Sequence, residues 1–386
     1  MDLTLNNAVM GVELSGIRQF TYLVRDTPGA CALTIGEPDL NTPDVIKEAA
    51  KAALDANDTH YPPGNGYPYA LEAISKFEAE AHGLHYAPSE VILTVGATEA
   101  LFASFSTILN PGDEVIIPTP AFGLYEALVQ LQGGVPVSLP TEHNHFQIVP
   151  EELKAAITDR TKAIILTSPN NPTGVVYSRQ TLEGLAELLR RKSTQFGHPI
   201  YLIADEPYRE LVYDGVEVPF LPTIYPNTLV CYSYSKSLSL PGERIGYVCV
   251  PSCVEGQADV LHAVAGAARS SGHVCPPTLV QLALQRCADA RPDLAAYDAN
   301  RRLLYRELTQ MGYECIPPQG AFYIFVRVPD GDDVAFSQRA KLEHDLLVVP
   351  STAFHCPGFL RLSYCVSHDM ILRSLPAFRA IREKYQ

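Results

Sequence analysis

Seven short runs of the chain, at positions 91–95, 114–117, 135–139, 162–166, 200–204, 229–232 and 245–250, are mostly apolar and rich in β-formers. Helical patterns lie between several of them, notably over 178–192. A strand with one wet face alternates apolar and polar side chains, whereas a strand covered on both faces does not. Continuous apolar runs alternating with helices therefore predict an α/β fold, a mainly parallel seven-stranded sheet covered by helices. In such sheets ligands sit beyond the carboxyl ends of the strands. The polar and small residues that interrupt the pattern fall there: Ala97 and Thr98, then Asn170-Asn171-Pro172-Thr173-Gly174, then Asp205-Glu206-Pro207-Tyr208, then Lys236.

The first of these turns has added content. A strand, the small pair Gly96-Ala97 and a helix opening at Thr98-Glu99-Ala100 make an anion cradle. Free backbone N–H groups point outward from the helix start, and its dipole favours negative charge. Many such units bind nothing, so the turn gains meaning only from its neighbours.

After Pro276-Pro277 the pattern changes. Helices over 278–288 and 292–311 precede short strands at 321–328, 346–349 and 359–362, and a last helix covers 369–383. These segments predict a smaller α+β domain. Upstream of the sheet, a weakly amphipathic stretch spans 17–23, and 33–39 reads as a short strand ending in a turn. A helix follows over 42–56, with Thr42 as its cap and Pro43 in its first turn. The expected division is a segment 1–44 that joins the small domain, a large domain 45–275 and a small domain 276–386. Between the first helix and the sheet, His60-Tyr61-Pro62-Pro63-Gly64-Asn65-Gly66-Tyr67-Pro68-Tyr69 is dense in Pro and Gly yet carries three tyrosines. A spacer would lack aromatics, so this reads as a binding or interface loop.

A formal net charge of -14 and the lack of any Lys/Arg run argue against nucleic-acid or anionic-membrane partners. Met1-Asp2-Leu3-Thr4 does not resemble a signal peptide, and no apolar stretch approaches a membrane-spanning length. Nine cysteines, an odd number without a CxxC pair, predict reduced thiols in the cytoplasm. No metal is expected. Cys249 and Cys253 lack histidines at zinc spacing, and His143-Asn144-His145 reads as a polar turn.

The stretch Ser233-Tyr234-Ser235-Lys236, followed by Pro241-Gly242-Glu243-Arg244 and an apolar run, reads as a strand, a loop and a strand. Both cations are placed on the loop. A lysine in a buried or cationic setting becomes a nucleophile. Hydroxyls beside an arginine suit a phosphate. Together they point to a lysine that forms a Schiff base with a phosphorylated aldehyde, for which pyridoxal 5'-phosphate is the obvious candidate. Taken alone, the stretch equally reads as a polar surface loop with an ordinary lysine.

A resemblance breaks that tie. Gly36-Glu37-Pro38-Asp39, Tyr61-Pro62-Pro63, Val95-Gly96-Ala97-Thr98-Glu99-Ala100-Leu101 and Ser168-Pro169-Asn170-Asn171-Pro172-Thr173-Gly174 run in order along the chain. So do Asp205-Glu206-Pro207-Tyr208, Ser233-Tyr234-Ser235-Lys236, Arg244-Ile245-Gly246-Tyr247 and Arg361-Leu362-Ser363. Across almost its whole length the chain is similar to class I/II aminotransferases of pyridoxal-phosphate fold type I, aspartate aminotransferase-like. That family moves an amino group between an L-amino acid and a 2-oxo acid.

The resemblance implies a role for each matching position. Lys236 resembles the Schiff-base lysine, serving as nucleophile and general acid/base. Asp205 resembles the carboxylate that keeps the pyridine nitrogen protonated. Asn171 and Tyr208 resemble the pair that bonds the cofactor's phenolic oxygen, and Phe122 occupies the slot of the stacking aromatic. Ala97, Thr98, Ser233 and Arg244, with Ser235 as an extra, resemble the phosphate set. Tyr61 resembles a residue supplied by the neighbouring subunit, which implies a homodimer with shared sites. Arg361 resembles the clamp on the substrate α-carboxylate, with Gly36 and Asn171 close by.

Two other readings keep the cofactor: a carbon–sulfur β-lyase and an aminocyclopropane-carboxylate synthase. A third, a non-catalytic regulator, conflicts with the presence of Lys236 and with only about 40 residues ahead of the core, too few for a DNA-binding domain. For a substrate with a distal carboxylate, the available cations are Arg18 and Arg269, and a surface role at a helix end suits Arg269. The enzyme is therefore expected not to be a strict aspartate specialist.

Overall fold

A computed structural model of the chain describes residues 5–12, 25–288, 290 and 292–385. The first strand, β1 (Cys31–Ala32), is two residues long and lies parallel to a segment near the C-terminus. The main sheet follows: β2 (Val91–Thr94), β3 (Glu114–Thr119), β4 (Val135–Pro140), β5 (Thr161–Thr167), β6 (Tyr201–Asp205), β7 (Thr228–Ser233) and β8 (Gly246–Cys249). Their spatial order is β2-β8-β7-β6-β5-β3-β4. Only β8 runs against its neighbours. Each strand matches an apolar run of the sequence to within about two residues at either end.

Successive residues of these strands go to opposite layers, as the pleat demands. Ile164 and Leu166 enter one apolar layer, with Leu202, Ala204, Val230 and Tyr232. Ala163 and Ile165 enter the other, with Ile203, Leu229, Cys231 and Val248. Helices close both layers, among them Arg179–Phe196 on the first and Gly96–Ile108 on the second. Only β4, at the sheet edge, is largely solvent-facing.

The carboxyl ends of β5, β6 and β7 reach the same sheet edge. Thr167 is in register with Asp205, and Asp205 with Cys231. Gly246 is flanked by Ser233 and Thr94. This one edge thus presents Thr94, Ser233, Asp205 and Thr167 together.

Four further strands, β9 (Glu314–Ile316), β10 (Tyr323–Arg327), β12 (Val349–Pro350) and β13 (Phe359–Ser363), form an antiparallel sheet in the order β12-β13-β10-β9. The remaining strand, β11 (Leu346–Leu347), is the partner of β1. The single strand expected over 346–349 is therefore two pieces, broken at Val348, that serve different sheets. Helices Leu294–Gln310 and His368–Glu383 pack on this unit around Leu304, Leu308, Phe322, Ile371 and Phe378. Leu33 joins the same cluster, so the early segment is tied to the late one.

Three local expectations need correction. Residues 33–39 are not a strand beyond the pairing of Leu33 with Leu347 and Ser363, because the Thr34 and Gly36 carbonyls accept from Arg361 and Lys236 instead. Thr42 does not cap the helix Asp44–Asp55. Pro43 holds the cap position, and the Thr42 hydroxyl donates to the Ser239 carbonyl at 2.9 Å. Lys236 is not on a loop, since Tyr234–Ser237 form one helical turn. The stretch 17–23 falls outside the described residues. Among the described residues no helix is long and apolar enough to cross a membrane.

Candidate active site

A cavity of about 250 Å³ opens where the carboxyl edge of the main sheet meets β10 and β13. Twelve of the thirteen site residues singled out from the sequence line it. Tyr61 is the exception. It is 84% exposed on its loop, away from the cavity.

The end of β7 shapes the first wall. Ser233 is the N-cap of the turn Tyr234–Ser237, its hydroxyl accepting from the Ser235 N–H at 3.1 Å and donating to the Ser235 hydroxyl at 2.8 Å. That turn aims Lys236 across the cavity, where Nζ donates to the Gly36 carbonyl at 2.5 Å. Burial pulls the Lys236 ammonium down from 10.5 to about 8. Cys365 and Glu37 oppose the shift, while Arg361 and Arg244 add to it. Gly36 has no room for a Cβ, which would meet the Tyr323 hydroxyl at 1.8 Å. A side chain there would push the Tyr323 ring aside or shift the backbone segment that receives Lys236.

Arg244 lies beside this wall. Its Nη1 donates to the Pro241 carbonyl at 3.0 Å and to the Ser235 hydroxyl at 3.4 Å, and its Nη2 to the Val95 carbonyl at 3.4 Å. Its backbone is left-handed, with φ +52°, a strain of about 1–3 kcal/mol for a non-glycine residue. Gly96, at φ +72°, opens the helix Gly96–Ile108, and a Cβ on it would lie 2.5 Å from Arg244 Nη2. The guanidinium is therefore pressed against the helix start, next to Ala97 and Thr98, whose first-turn N–H groups face the same corner. Burial lowers the Arg244 pKa, with no carboxylate to offset it.

Asp205 ends β6 and is buried. Its Oδ2 accepts from the Tyr125 hydroxyl at 2.5 Å, while its Oδ1 has no partner. Burial pushes this carboxyl up to about 6, against the opposing hydrogen bonds of Tyr125 and Thr167. Phe122 stands above, half-buried, with its ring 5.8 Å from that of Tyr125 in an edge-on arrangement. Tyr208, three residues after Asp205, shares a hydroxyl contact of 2.9 Å with Tyr323. Burial holds its phenol far above the ordinary range, so it remains a donor.

Arg361 projects from β13 and is 2% exposed. Nη1 donates to Asn171 Oδ1 at 3.0 Å and Nη2 to the Thr34 carbonyl at 2.6 Å, while buried Nε has no partner. The guanidinium lies between the rings of Tyr323 and Phe354, at 4.5 and 4.9 Å. It is thereby a rigid fork rather than a mobile charge.

The segment that carries Asp205 and Tyr208 is braced from behind. Glu206 and Arg209 face away from the cavity, and Arg209 pairs with Glu206 at 2.8 Å and with Glu78 at 2.7 Å. Tyr247 also donates to Glu78. All four side chains are buried, so the cluster holds the segment between two fixed anchors.

Taken together, the cavity holds three cations, Lys236, Arg244 and Arg361. Their hydrogen bonds run to carbonyls, an amide and a hydroxyl, and none of them enters an ion pair among the described residues. A buried charge is costly without a counter-charge. The arrangement is built to receive anionic groups at two ends, one at Arg244 and the helix start, the other at Arg361. Between them stands Asp205 with one free acceptor.

Sequence reasoning missed Tyr125, Thr167 and Tyr323, which also line the cavity. Of the two candidate cations for a distal carboxylate, Arg18 lies outside the described residues. Arg269 is exposed in the last turn of the helix Gln257–Ser270, beside a second hollow of about 260 Å³. Among the described residues no group of His, Cys, Asp and Glu is arranged to hold a metal ion.

Residues 30–378 match the family model for aminotransferases of class I and II, so the chain belongs to that family and is an aminotransferase. It is 38% identical over 360 residues to a probable aspartate/prephenate aminotransferase of Thermus aquaticus, with 90% of each chain covered. Among solved structures it superposes on an aminotransferase from Eubacterium rectale with a TM-score of 0.94 and 41% identity over 100% of both chains. Against aspartate aminotransferase from Thermus thermophilus with maleate, the TM-score is 0.88 at 34% identity, over 98% of this chain and 100% of the other. The lyase and synthase readings are not favoured, since these relatives are named aminotransferases.

Proposed function

We propose that the enzyme transfers amino groups between L-amino acids and 2-oxo acids with pyridoxal 5'-phosphate held in this cavity. The observation that carries the reading is the set of three cations without counter-charges around one orphan carboxylate oxygen. The residues present fit the cofactor. Arg244, Ser233, Ser235 and the N–H groups of Ala97 and Thr98 would hold its phosphate. Asp205 Oδ1 would accept from the protonated ring nitrogen, Phe122 would cover the ring, and Asn171 with Tyr208 would donate to its phenolic oxygen. Bound there, pyridoxal phosphate supplies an aldehyde for amino groups and a ring that withdraws electrons.

The chain's own groups do the rest. Lys236 Nζ, its pKa brought down to about 8 by burial, acts as nucleophile and takes the proton from the substrate Cα. Arg361 fixes the α-carboxylate in a planar two-pronged grip, with the Gly36 backbone and Asn171 lining the same end. Tyr208 and Tyr323 keep a neutral hydroxyl pair between the two ends. The proposed division of labour in the chain is a large unit over 45–275, a small unit over 276–386 and a segment 1–44 joining the small one.

Each cavity cation has a task in this scheme, and among the described residues none is left for a second substrate carboxylate. In a half-reaction screen, absorbance of the lysine-bound cofactor should fall on mixing with neutral amino acids. Alanine, methionine or aromatic donors should compete with aspartate and glutamate in kcat/KM. No absorbance change with any amino acid would overturn the reading. A preference for dicarboxylates above about a hundredfold, roughly 2.7 kcal/mol, would require a distal cation, and Arg269→Ala would be the first variant to make.

The site is also proposed to be shared between two copies of the chain. Tyr61, exposed on a loop rich in aromatics, Pro and Gly, would reach the partner's cofactor. Sedimentation at assay concentration should therefore find activity only in dimers. A monomeric fraction that transaminates at the full rate would remove Tyr61 from the site.

A further inference from the structure

We propose that Tyr125 is a positioning residue that holds Asp205 by its Oδ2 and leaves Oδ1 as the one oxygen without a partner. This inference rests on the proposed use of pyridoxal phosphate. Tyr125 is 3% exposed and packs in the second core layer, on the helix Leu124–Leu131. Its hydroxyl sits between two groups from adjacent parallel strands, Thr167 of β5 and Asp205 of β6, which are in register. An ionised carboxylate only accepts, so Tyr125 must donate to Oδ2. The Thr167 hydroxyl touches the same phenolic oxygen and, like Tyr125, favours the ionised carboxylate, so the phenol is held in place between the two strands.

Two consequences follow from that arrangement. A free carboxylate would rotate and present either oxygen, whereas here Oδ2 is occupied and Oδ1 alone is left without a partner. The donor also favours the ionised form, working against burial, the largest influence on this carboxyl. The other titratable groups facing Asp205 are the Tyr208 phenol and the Cys231 thiol, both held neutral by burial, so neither replaces Tyr125. Without the phenol, Asp205 would gain a proton at higher pH and turn toward other donors. It would then hold a cationic ring nitrogen poorly.

Tyr125→Phe keeps the ring and its packing, and removes only the hydroxyl. Two readouts decide the matter: pyridoxal phosphate affinity of the apoenzyme by equilibrium dialysis, and the acid limb of kcat/KM. Affinity should weaken about tenfold, the size of one charge-assisted hydrogen bond. The acid limb should move up by roughly half to one pH unit, because activity needs Asp205 ionised and is lost as pH falls through its pKa. In an Asp205→Asn background the same change should leave affinity unaltered, since Tyr125 acts through Asp205. A variant that loses thermal stability with affinity and acid limb unchanged would reduce Tyr125 to a packing residue. An undiminished tenfold effect in the Asp205→Asn background would also overturn the inference. Wild-type apoenzyme that takes up no pyridoxal phosphate would overturn the functional reading, and this inference with it.

Discussion

A Lys236→Ala variant will lose at least about four orders of magnitude in transamination, since in the proposed scheme one side chain serves both as nucleophile and as proton carrier. The structure gives no substitute. Arg244 and Arg361 are the other cations of the cavity, and a guanidinium does not release a proton near neutrality. The Gly36 carbonyl that now accepts from Nζ would be left without that donor. Folding should survive, because Lys236 sits in a single helical turn whose cap is Ser233. The corner at Arg244 and the helix start, proposed to take the phosphate, does not depend on Lys236, nor does Asp205, so the variant should still retain part of the proposed cofactor. Turnover should be measured with the variant loaded and freshly purified. Full activity in that preparation would remove Lys236 from its assigned role.

The same lysine makes a pH statement. Its neutral form is the nucleophile, and burial brings its pKa to about 8 from 10.5. The rate at which apoenzyme takes up pyridoxal phosphate covalently should rise with pH and level off just above 8. An ordinary exposed lysine would keep gaining to beyond 10.

How much of this was legible in the sequence differs by region, for physical reasons. The main-sheet strands were readable because burial on both faces leaves nearly continuous apolar runs such as Ile164-Ile165-Leu166. The sites at their carboxyl ends were readable because α/β topology fixes where polar interruptions converge. The stretch 33–39 was misread because its hydrogen-bond partners, Arg361 and Lys236, lie far away in the chain, and local pattern carries no trace of them. The helical turn at Lys236 is hidden for the converse reason: the hydroxyl of Ser233, which suits a phosphate, also caps a helical turn. Tyr125 and Thr167 were invisible because each looks like ordinary core on its own element. Only the register of β5 against β6 brings Thr167 beside Asp205, and only helix packing lays Tyr125 across both. Tyr323 is similar, a buried strand tyrosine whose meaning lies in its contacts with Tyr208, Gly36 and Arg361.

Arg361→Lys will lower kcat/KM for every amino-acid and 2-oxo-acid substrate by about 10²–10³-fold, equivalent to roughly 3–4 kcal/mol. The charge is kept, so the loss measures geometry. Nη1 and Nη2 are steered by Asn171 and Thr34, and the rings of Tyr323 and Phe354 hold the guanidinium plane. An ammonium is shorter, has no plane to stack and offers no parallel pair of donors to a carboxylate. It would also leave Asn171 Oδ1 or the Thr34 carbonyl unpaired in a buried place, at a cost of about 1–3 kcal/mol for each group. A loss at the Thr34 carbonyl falls on the segment 33–39, which bears Gly36 and hence the receiver of Lys236, so part of the loss should appear in kcat as well as in KM. Since every amino acid carries the α-carboxylate, the factor should be nearly the same for alanine, methionine and aspartate. Steady-state kinetics over that panel decides it. A defect confined to one side-chain class would move Arg361 from the α-carboxylate to the side-chain pocket, and the cavity would then lack a cation for the group that all its substrates share.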